Sequence, residues 1–468
     1  MQIIESLVFI LTIVILVVLI KSKSIKKQHI SPLLLVTLAS FTIHIVFESS
    51  RWQIYPMYIA VVLVIAMGVF ARLRIKEYQN MKAMRIVILI TSTIFLLLSG
   101  VSSFAFPLYD MPLTSGEFSI GTESFVLIDN DRDEIYGAAG SRKIKIQMWY
   151  PAKFTEGYDL VPWLEDGRVV AQALAKDMNL PLFVLDHTEL TISNSYREAP
   201  ISDDSEKYPV VVISHGWRGF RNLHTDIAEE LASFGYVVVA IDHTYGSVAT
   251  VFNDEEIAFL NLDALPERDT TSDFLEYANK LVSTYAGDIT LTLNKLEMMN
   301  TGDVLSRFAG RLDLTSIGLL GHSTGGGADV AVAINDERIK AVIGMDAWVE
   351  PIYESEIEKG LNIPALFLRS GWWEDGLNNS NLLSLIDNSS GGPLLYQIDG
   401  TTHYDFSMVY MYSPLTKYMG LTGEVEGDYL VSILENTIIT FFDQNLKGVT
   451  SVDIENIDEL WEEVRKIE

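Results

Sequence analysis

The chain is predicted to form an α/β domain with a doubly wound, mostly parallel sheet, preceded by four transmembrane helices. Short β-branched and aromatic runs alternate with longer segments of helical periodicity, which is the pattern of an α/β domain. Several of these runs are apolar throughout, as expected for strands buried on both faces of a parallel sheet. The membrane prediction rests on the first quarter of the chain, where apolar residues are concentrated.

Four apolar stretches occupy this first quarter. They are residues 3–20, 30–47, 54–71 and 86–106. Each is close to the roughly 17 to 25 residues that a helix needs to cross a bilayer. Buried core helices are the alternative, but so many apolar faces would leave no polar side for water. The sequence therefore favours four spans, with residues 1–106 as a membrane anchor.

The basic residues of this anchor lie mainly in two of its loops. The first loop holds Lys21, Lys23, Lys26 and Lys27, and the second holds Arg72, Arg74, Lys76, Lys82 and Arg85. The loop between spans two and three carries only Arg51 against Glu48. By the positive-inside rule both basic loops are cytoplasmic. The N-terminus and the chain after Phe106 are then outside, at the cell membrane.

The chain that follows the anchor is strongly acidic. The whole protein carries −28, and residues 107–468 hold 24 basic against 59 acidic residues, a net of −35. Such a field repels nucleic acid and strongly anionic ligands. The chain has no cysteine, which excludes disulfides and thiolate zinc sites. We expect neither a metal nor a cofactor.

After the anchor, residues 107–123 are predicted to be a linker, because they are rich in Gly, Ser, Thr and Pro. The catalytic domain is then 124–468. Its predicted strands are "SFVLID", "KIKIQMWYP", "YPVVVISHG", "YVVVAIDH", "SIGLLGHS", "KAVIGMDA", "PALFLRSG" and "LLYQIDG", and its predicted helices are 223–233, 272–299, 325–334 and 429–446. Residues 153–205 do not fit this alternation, and are either a lid or pocket insertion or a surface excursion without function.

Ser323 lies in "LLGHSTGGGADV", between an apolar strand and a predicted helix start. A G-x-S-x-G match alone is weak, but glycines at a strand-to-helix turn are what a nucleophile elbow requires. A phosphate-binding glycine loop is the alternative, and its lysine is missing. Ser323 is therefore the predicted nucleophile.

A serine hydroxyl needs a base, and in this architecture the chain order is Ser, acid, His. Of the eight histidines only His403 follows Ser323, in the loop "QIDGTTHYDF". Two acids compete to orient it, since Asp346 follows the strand "AVIGM" and Asp375 follows the next strand in "RSGWWEDG". Position in the sequence leaves these two acids nearly even.

An oxyanion hole needs two backbone amides, one after the nucleophile and one from the loop after an earlier strand. Thr324 supplies the first. The strand in "VVISHGWRGF" ends in His-Gly, which makes the amide of Trp217 the natural second donor. His215 is interpreted as a structural loop residue.

The motifs "YPVVVISHGWRGFRNLHTDIAEELASFGYVVVAIDHTYGS", "GHSTGGG", "GMDAWVEP" and "GTTHYDF" together resemble the lipoprotein-associated platelet-activating-factor acetylhydrolases and their bacterial relatives. The resemblance covers most of residues 120–445. It implies an α/β-hydrolase fold and a calcium-independent serine esterase acting on short or oxidised acyl groups of phospholipids. It also implies Asp346 as the acid, Trp217 as an oxyanion donor and "PWLEDGRVVAQALAKDMNLP" as a pocket cover. Thr324 stands where the animal enzymes carry a bulky aromatic residue.

The leading hypothesis is a membrane-anchored esterase whose site faces outward, with lipid or lipid-like esters as substrates and no nucleic-acid partner. A general carboxylesterase or polyesterase is the second. A ligand sensor with an inactive hydrolase domain is disfavoured by the presence of Ser323, Asp346 and His403. A transporter is disfavoured because the spans hold almost no ionisable residue besides Glu5 and His44.

Overall fold

The N-terminal part of the computed structural model, which describes residues 2–20, 27–449 and 453–467, is helical. Its helices are α1 (Ile3–Ile20), α2 (Lys27–Phe47), α3 (Tyr55–Leu73), α4 (Ile75–Asn80) and α5 (Lys82–Ala105). Within the described residues, four stretches of 18 to 24 residues are long and apolar enough to cross a membrane, and they lie in α1, in α2, in α3 with the turn before it, and in α5. Lys21, Lys23 and Lys26 of the predicted first cytoplasmic loop lie outside the described residues.

A buried polar cluster joins the start of α1 to the end of α2. Arg51 Nη2 lies 2.8 Å from Glu5 Oε1, and both side chains are buried. Glu48 accepts the amides of Ile4 and Glu5, and its Oε2 lies 2.8 Å from His44 Nδ1. Glu5 and His44 are therefore paired inside the helix group, which gives both a structural role.

The rest of the chain is built around an eleven-stranded sheet. The strands of the chain are β1 (Ser119–Asp133), β2 (Ser141–Ala152), β3 (Leu160–Pro162), β4 (Ile192–Arg197), β5 (Tyr208–Ser214), β6 (Val237–Asp242), β7 (Ala249–Asn253), β8 (Glu256–Phe259), β9 (Leu312–His322), β10 (Ile339–Met345), β11 (Ala365–Ser370), β12 (Leu394–Ile398) and β13 (Val464–Lys466). The sheet order is β13-β12-β11-β10-β9-β5-β6-β2-β1-β4-β3, while β7 and β8 form a separate hairpin. The run β6-β5-β9-β10-β11-β12 is parallel.

Helices cover both faces of this sheet. They are α6 (Gly167–Asp177), α7 (Thr225–Ser233), α8 (Phe274–Thr301), α9 (Thr324–Asn335), α10 (Glu354–Ile357), α11 (Leu377–Asn388) and α12 (Gly427–Phe442). Val210 and Val212 of β5 face α8 and α9, whereas Val211 and Ile213 face α7 and α12. Both sides of a central strand are thus buried, which explains its unbroken apolar run. The predicted α/β class with a mostly parallel sheet is confirmed.

The sheet is wider than the sequence predicted. Strands β3, β4, β7, β8 and β13 were not predicted; all are short, and three of them lie at or beside the sheet edges. β1 begins at Ser119, inside the predicted linker 107–123. The linker itself is tied to α7, because Ser115 donates from its amide to Glu230 and Gly116 donates to Ser233. Its Gly and Ser residues therefore serve close packing against a helix.

The segment 153–205 belongs to the packed structure. It contains β3, α6, a 3-10 segment (Leu182–Leu190) and β4, and β4 extends the main sheet by pairing in parallel with β1. Val170 of α6 and Leu185 of the 3-10 segment are buried in a cluster with Phe220 and Met408, which lie beside the carboxyl ends of the parallel strands. Of the two predicted interpretations, this arrangement fits the pocket insertion.

Candidate active site

Ser323 lies in a sharp turn between β9 and α9. Its backbone has φ 56° and ψ −120°, a conformation that L-residues adopt only under constraint. A Cβ at Gly325 would lie 2.2 Å from the carbonyl oxygen of Ser214, and a Cβ at Gly321 would lie 2.5 Å from the amide nitrogen of Gly326. Only glycine fits these two positions, and the tight turn presents the Ser323 hydroxyl at the carboxyl end of the sheet.

His403 and Asp346 complete a chain of hydrogen bonds with this serine. His403 Nε2 lies 3.0 Å from Ser323 Oγ, and His403 Nδ1 lies 3.0 Å from Asp346 Oδ2. Asp346 is buried and follows β10 directly. Ser370 fixes its carboxylate by donating from the amide to Oδ1 at 2.7 Å and from the hydroxyl to Oδ2 at 2.6 Å. This geometry suits proton transfer from the serine to the imidazole.

The competing acid, Asp375, does not take part in this chain of hydrogen bonds. Asp375 is exposed, in the loop before α11. Within the described residues it makes no hydrogen bond with His403, and Asp346 already occupies the Nδ1 side of the ring. The strands that precede Asp346 and Asp375, β10 and β11, are neighbours in the sheet. The direction of each side chain therefore decides which acid contacts His403.

The two backbone amides predicted to form an oxyanion hole are those of Thr324 and Trp217. Thr324 is the first residue of α9, where an amide has no partner within its own helix. The amide of Trp217 donates to no acceptor among the described residues, although its neighbour Arg218 donates to Gly246. A Cβ at Gly216 would lie 2.9 Å from Ser323 Cβ, so this loop passes directly beside the serine. The loop that carries the Trp217 amide and the turn that carries the Thr324 amide thus both lie beside Ser323.

Two buried histidines support these loops. His215 Nδ1 lies 2.7 Å from the Gly216 carbonyl, and its Nε2 accepts the amide of His243 at 3.2 Å. His322 Nε2 lies 2.9 Å from the carbonyl of His403. Burial lowers the pKa of His215 and of His322 well below the ordinary value. Both rings stay neutral, and they hydrogen-bond to the loop after β5 and to the loop of His403.

The serine opens into a cavity of about 680 Å³. Its lining includes Ser323, Thr324, Trp217 and His403. Other lining residues are Leu174 of α6, Met178 directly after α6, Val409 and Tyr412 from the segment after His403, and Phe106 directly after α5. The walls are largely apolar, which suits an ester with apolar substituents.

Trp373 and Phe106 were not predicted as site residues. The Trp373 ring stacks on His403 with centroids 4.6 Å apart and planes inclined by 6°. The available signal for Trp373 was the Trp-Trp pair directly after β11, at the edge where parallel strands end. Phe106 is the last residue of the fourth apolar stretch, where nothing in the sequence indicates a pocket. The described residues contain no group of three His, Asp or Glu side chains placed to hold a metal ion.

The family, the relatives and the solved structure that match this chain all bear names of ester hydrolases. Residues 104–464 match the family described as platelet-activating factor acetylhydrolase, isoform II. The chain is 24% identical over 269 residues to the platelet-activating factor acetylhydrolase of Gallus gallus, covering 52% of this chain and 63% of that one. The enzyme of the same name from Canis lupus familiaris is 24% identical over 258 residues, covering 52% and 58%.

A fungal relative from Arthroderma benhamiae, described as a probable 1-alkyl-2-acetylglycerophosphocholine esterase, is 27% identical over 143 residues, 31% of this chain and 32% of its own. The ferulic acid esterase of Streptomyces cinnamoneus shares the fold, with a TM-score of 0.65 at 23% identity over 77% of this chain and all of its own. The chain thus spans less than two thirds of the length of these curated relatives. Because the family match covers most of the sequence, the chain belongs to the platelet-activating factor acetylhydrolase isoform II family.

Proposed function

We propose that the protein is a membrane-anchored serine hydrolase that cleaves short-acyl esters of phospholipids or similar lipids. The observation that carries the proposal is the chain of two 3.0 Å contacts from Ser323 through His403 to Asp346, at the floor of an apolar cavity. Family membership and the names of the relatives support the same class of reaction.

In the proposed reaction Ser323 Oγ attacks the ester carbonyl carbon while His403 Nε2 takes the hydroxyl proton. The amides of Trp217 and Thr324 stabilise the oxyanion of the tetrahedral intermediate. Its collapse breaks the bond to the alcohol, which leaves with the proton from His403, and Ser323 remains acylated. A water molecule, deprotonated by His403, then hydrolyses the acyl-enzyme. Asp346 keeps the imidazole in the right tautomer and stabilises its charged form.

The substrate class is argued from the cavity and the charge. Largely apolar walls favour an ester with apolar substituents, and a net charge of −35 on residues 107–468 disfavours anionic headgroups. Acetyl esters of zwitterionic or neutral lipids fit both conditions. A general carboxylesterase or polyesterase acting on soluble esters is the second candidate, favoured by Tyr404 and Met419, which line the cavity and are exposed to solvent.

The decisive experiment measures kcat/KM for acetyl and palmitoyl esters on one glycerophosphocholine scaffold, with the purified full chain and without added metal. We expect the acetyl ester to be preferred and a chelator to have no effect. Preference for the palmitoyl ester would indicate a long-chain lipase. Hydrolysis of p-nitrophenyl acetate alone would indicate the general carboxylesterase, and hydrolysis of none of the three would reject the proposal.

The proposed topology places residues 1–106 in the membrane as an anchor and the catalytic domain outside, after the linker 107–123. The chain has no cysteine, so single cysteines report the side of the membrane without background. A cysteine at the exposed Asn130 should react with an impermeant maleimide in intact cells, and a cysteine at the exposed Lys76 should react only after lysis. The reverse pattern would invert the topology.

A further inference from the structure

A second cavity, of about 460 Å³, lies where the N-terminal helices meet the segment 153–205. We call it the junction groove. One wall includes Trp52, Tyr55 and Ile59, from the turn before α3 and from the first turns of α3. The other includes Arg168 and Phe183 of the segment 153–205. The groove is thus formed by both parts of the chain, and the proposed reaction uses none of these side chains.

One layer of aromatic side chains separates the junction groove from the catalytic cavity. Trp52 packs against Phe106 with ring centroids 5.7 Å apart and against Phe183 at 5.2 Å. Phe106 also packs against His187 at 6.1 Å. Phe106 lines the catalytic cavity, whereas Trp52, Phe183 and His187 line the groove. A molecule in the groove therefore lies one side chain away from the catalytic cavity.

Hydrogen bonds hold the two walls together. The carbonyl of Phe106 accepts from Gln53 Nε2 at 3.0 Å and from Arg51 Nη1 at 3.5 Å. Trp52 Nε1 donates to the carbonyl of Val184 at 3.1 Å across the groove. Since these bonds connect the turn before α3 to both the end of α5 and the 3-10 segment, the groove is a fixed feature of the junction.

The groove combines apolar and charged lining residues. On α3, Tyr55 and Ile59 are half exposed and continue into the exposed apolar surface of this proposed span. On the facing segment, Arg168 Nη2 lies 2.6 Å from Glu189 Oε1, and Arg168 Nε lies 3.5 Å from Asp186 Oδ2. The lining thus holds two guanidinium groups, Arg51 and Arg168, and two carboxylates, Asp186 and Glu189, beside an apolar wall, which matches an amphiphile whose headgroup carries both charges.

We propose that the junction groove binds a zwitterionic glycerophospholipid from the membrane leaflet, such as a phosphocholine lipid, and so brings membrane-borne substrate to the catalytic cavity. Arg168 pairs with the phosphate, the quaternary ammonium lies near Asp186, Glu189 and the aromatic rings, and an acyl or alkyl chain follows α3. Because the lining holds as many carboxylates as guanidinium groups, it offers no net positive charge to a net anionic headgroup. This inference rests on the proposed function and on α3 being a membrane span.

The first test compares a membrane-borne substrate with a soluble one for the full chain. The membrane-borne substrate is a long-chain alkyl acetylglycerophosphocholine in vesicles of diether phosphatidylcholine, which has no ester to cleave, and the soluble substrate is p-nitrophenyl acetate. We expect Arg168→Ala and Phe183→Ala each to lower the ratio of the two kcat/KM values at least tenfold.

The control variants lie in the same segment but outside the groove. Arg197→Ala matches Arg168→Ala, because both arginines are about half exposed and pair with a glutamate. Phe154→Ala matches Phe183→Ala, because the exposed fractions of the two side chains are 52% and 49%. Both controls should keep the wild-type ratio.

A second measurement needs no catalysis. Native mass spectrometry of the full chain, purified in detergent with diether phosphatidylcholine or diether phosphatidylglycerol, should show one retained phosphatidylcholine that the double variant Arg168→Ala/Phe183→Ala loses. Equal retention by wild type and double variant, or preference for phosphatidylglycerol, would overturn the site. An unchanged kinetic ratio in both groove variants would overturn its role in delivering substrate. Retention of phosphatidylcholine without hydrolysis of any ester would instead reject the proposed function and leave the binding site standing.

Discussion

Among the described residues, two Asp–His pairs have nearly equal distances, and they differ in what surrounds them. His403 Nδ1 lies 3.0 Å from Asp346 Oδ2, and His243 Nδ1 lies 3.1 Å from Asp288 Oδ2. Both aspartates are buried. By distance alone, either pair has the form of a base with its orienting acid.

The second pair is enclosed and its charge is already neutralised. Arg142 donates to both oxygens of Asp288, at 3.0 and 2.7 Å. Tyr285 stacks on His243 with ring centroids 3.8 Å apart, and His243 Nε2 has no hydrogen-bond partner among the described residues. Burial would raise the pKa of Asp288, but the Arg142 charge and the hydrogen bonds from His243 and Arg142 hold it well below its usual range. Burial lowers the pKa of His243, so that its ring stays neutral.

The first pair faces a hydroxyl and an open cavity. His403 Nε2 contacts Ser323 Oγ, and its side chain remains partly accessible at the cavity floor. Asp346 is held by Ser370, a neutral donor, rather than by a cation. Its charge thus stays available to an imidazolium that forms during a reaction. The comparison teaches that access and a nucleophile at Nε2, more than the Asp–His distance, make such a pair suitable for catalysis.

The largest expected effect comes from removing the nucleophile. Ser323→Ala should lower kcat by a factor on the order of 10⁶, because it removes the atom that the pair activates. Labelling with an organophosphonate probe should be lost as well, whereas the exposed Ser205→Ala should label normally. If Ser323→Ala still labels at the wild-type rate, another residue is the nucleophile.

The acid of the first pair should have the next largest effect. Asp346→Asn keeps the shape of the side chain but should lower kcat by about 10⁴, because an amide favours the wrong imidazole tautomer. Asp375→Asn is the matched control and should change kcat less than about twofold, since Asp375 is exposed and Asp346 is the acid bonded to the ring nitrogen. Steady-state kinetics on an acetyl ester distinguishes the two acids, and the reverse ranking would exclude Asp346.

The acid of the second pair should affect stability instead of rate. Asp288→Asn breaks the buried ion pair with Arg142 and leaves Glu134 as its remaining carboxylate partner, and breaking a buried pair typically costs about 3–5 kcal/mol. The apparent unfolding midpoint should fall, while kcat per organophosphonate-titrated site stays near the wild-type value. A large loss of kcat in correctly folded Asp288→Asn would give the second pair a catalytic role.

This stability difference should also depend on pH with a defined sign. A carboxylate whose pKa is lower in the folded state stabilises the fold above its unfolded pKa, and this contribution is lost as pH falls through the folded value. The difference in unfolding midpoint between wild type and Asp288→Asn should therefore be largest at neutral pH and shrink below about pH 4. A difference that grows on acidification would contradict the assigned direction.

The smallest expected effect concerns the aromatic cover of the first pair. Trp373 stacks in parallel on His403, where its π face stabilises the imidazolium by about 0.5–2 kcal/mol. Trp373→Leu should therefore lower kcat by about 2- to 30-fold. Trp372→Leu is the control, because Trp372 is the exposed neighbour on the same turn. Equal losses in both variants would point to a general disturbance of the loop.

Much of this architecture can be predicted from the sequence because it depends on local pattern. The unbroken apolar runs of β5, β6 and β9 predict buried parallel strands, and the glycines around Ser323 predict the turn that the structure contains. His403 was selected by chain order alone, since it is the only histidine after Ser323. The four apolar helices of the N-terminal part also follow from composition and length.

The tertiary structure alone decided which distant side chains meet. Asp346 and Asp375 each follow a strand, and strand position alone left them nearly even, although the family resemblance favoured Asp346. In the structure the Asp346 carboxylate points at His403 while Asp375 faces solvent. The stacking of Trp373, the place of Phe106 in the cavity wall and the short edge strands were likewise outside the reach of sequence patterns. The physical reason is that the periodicity of apolar residues reports which face of a helix or strand is buried. The direction of a side chain at a strand end depends instead on backbone turns and on partners from elsewhere in the chain.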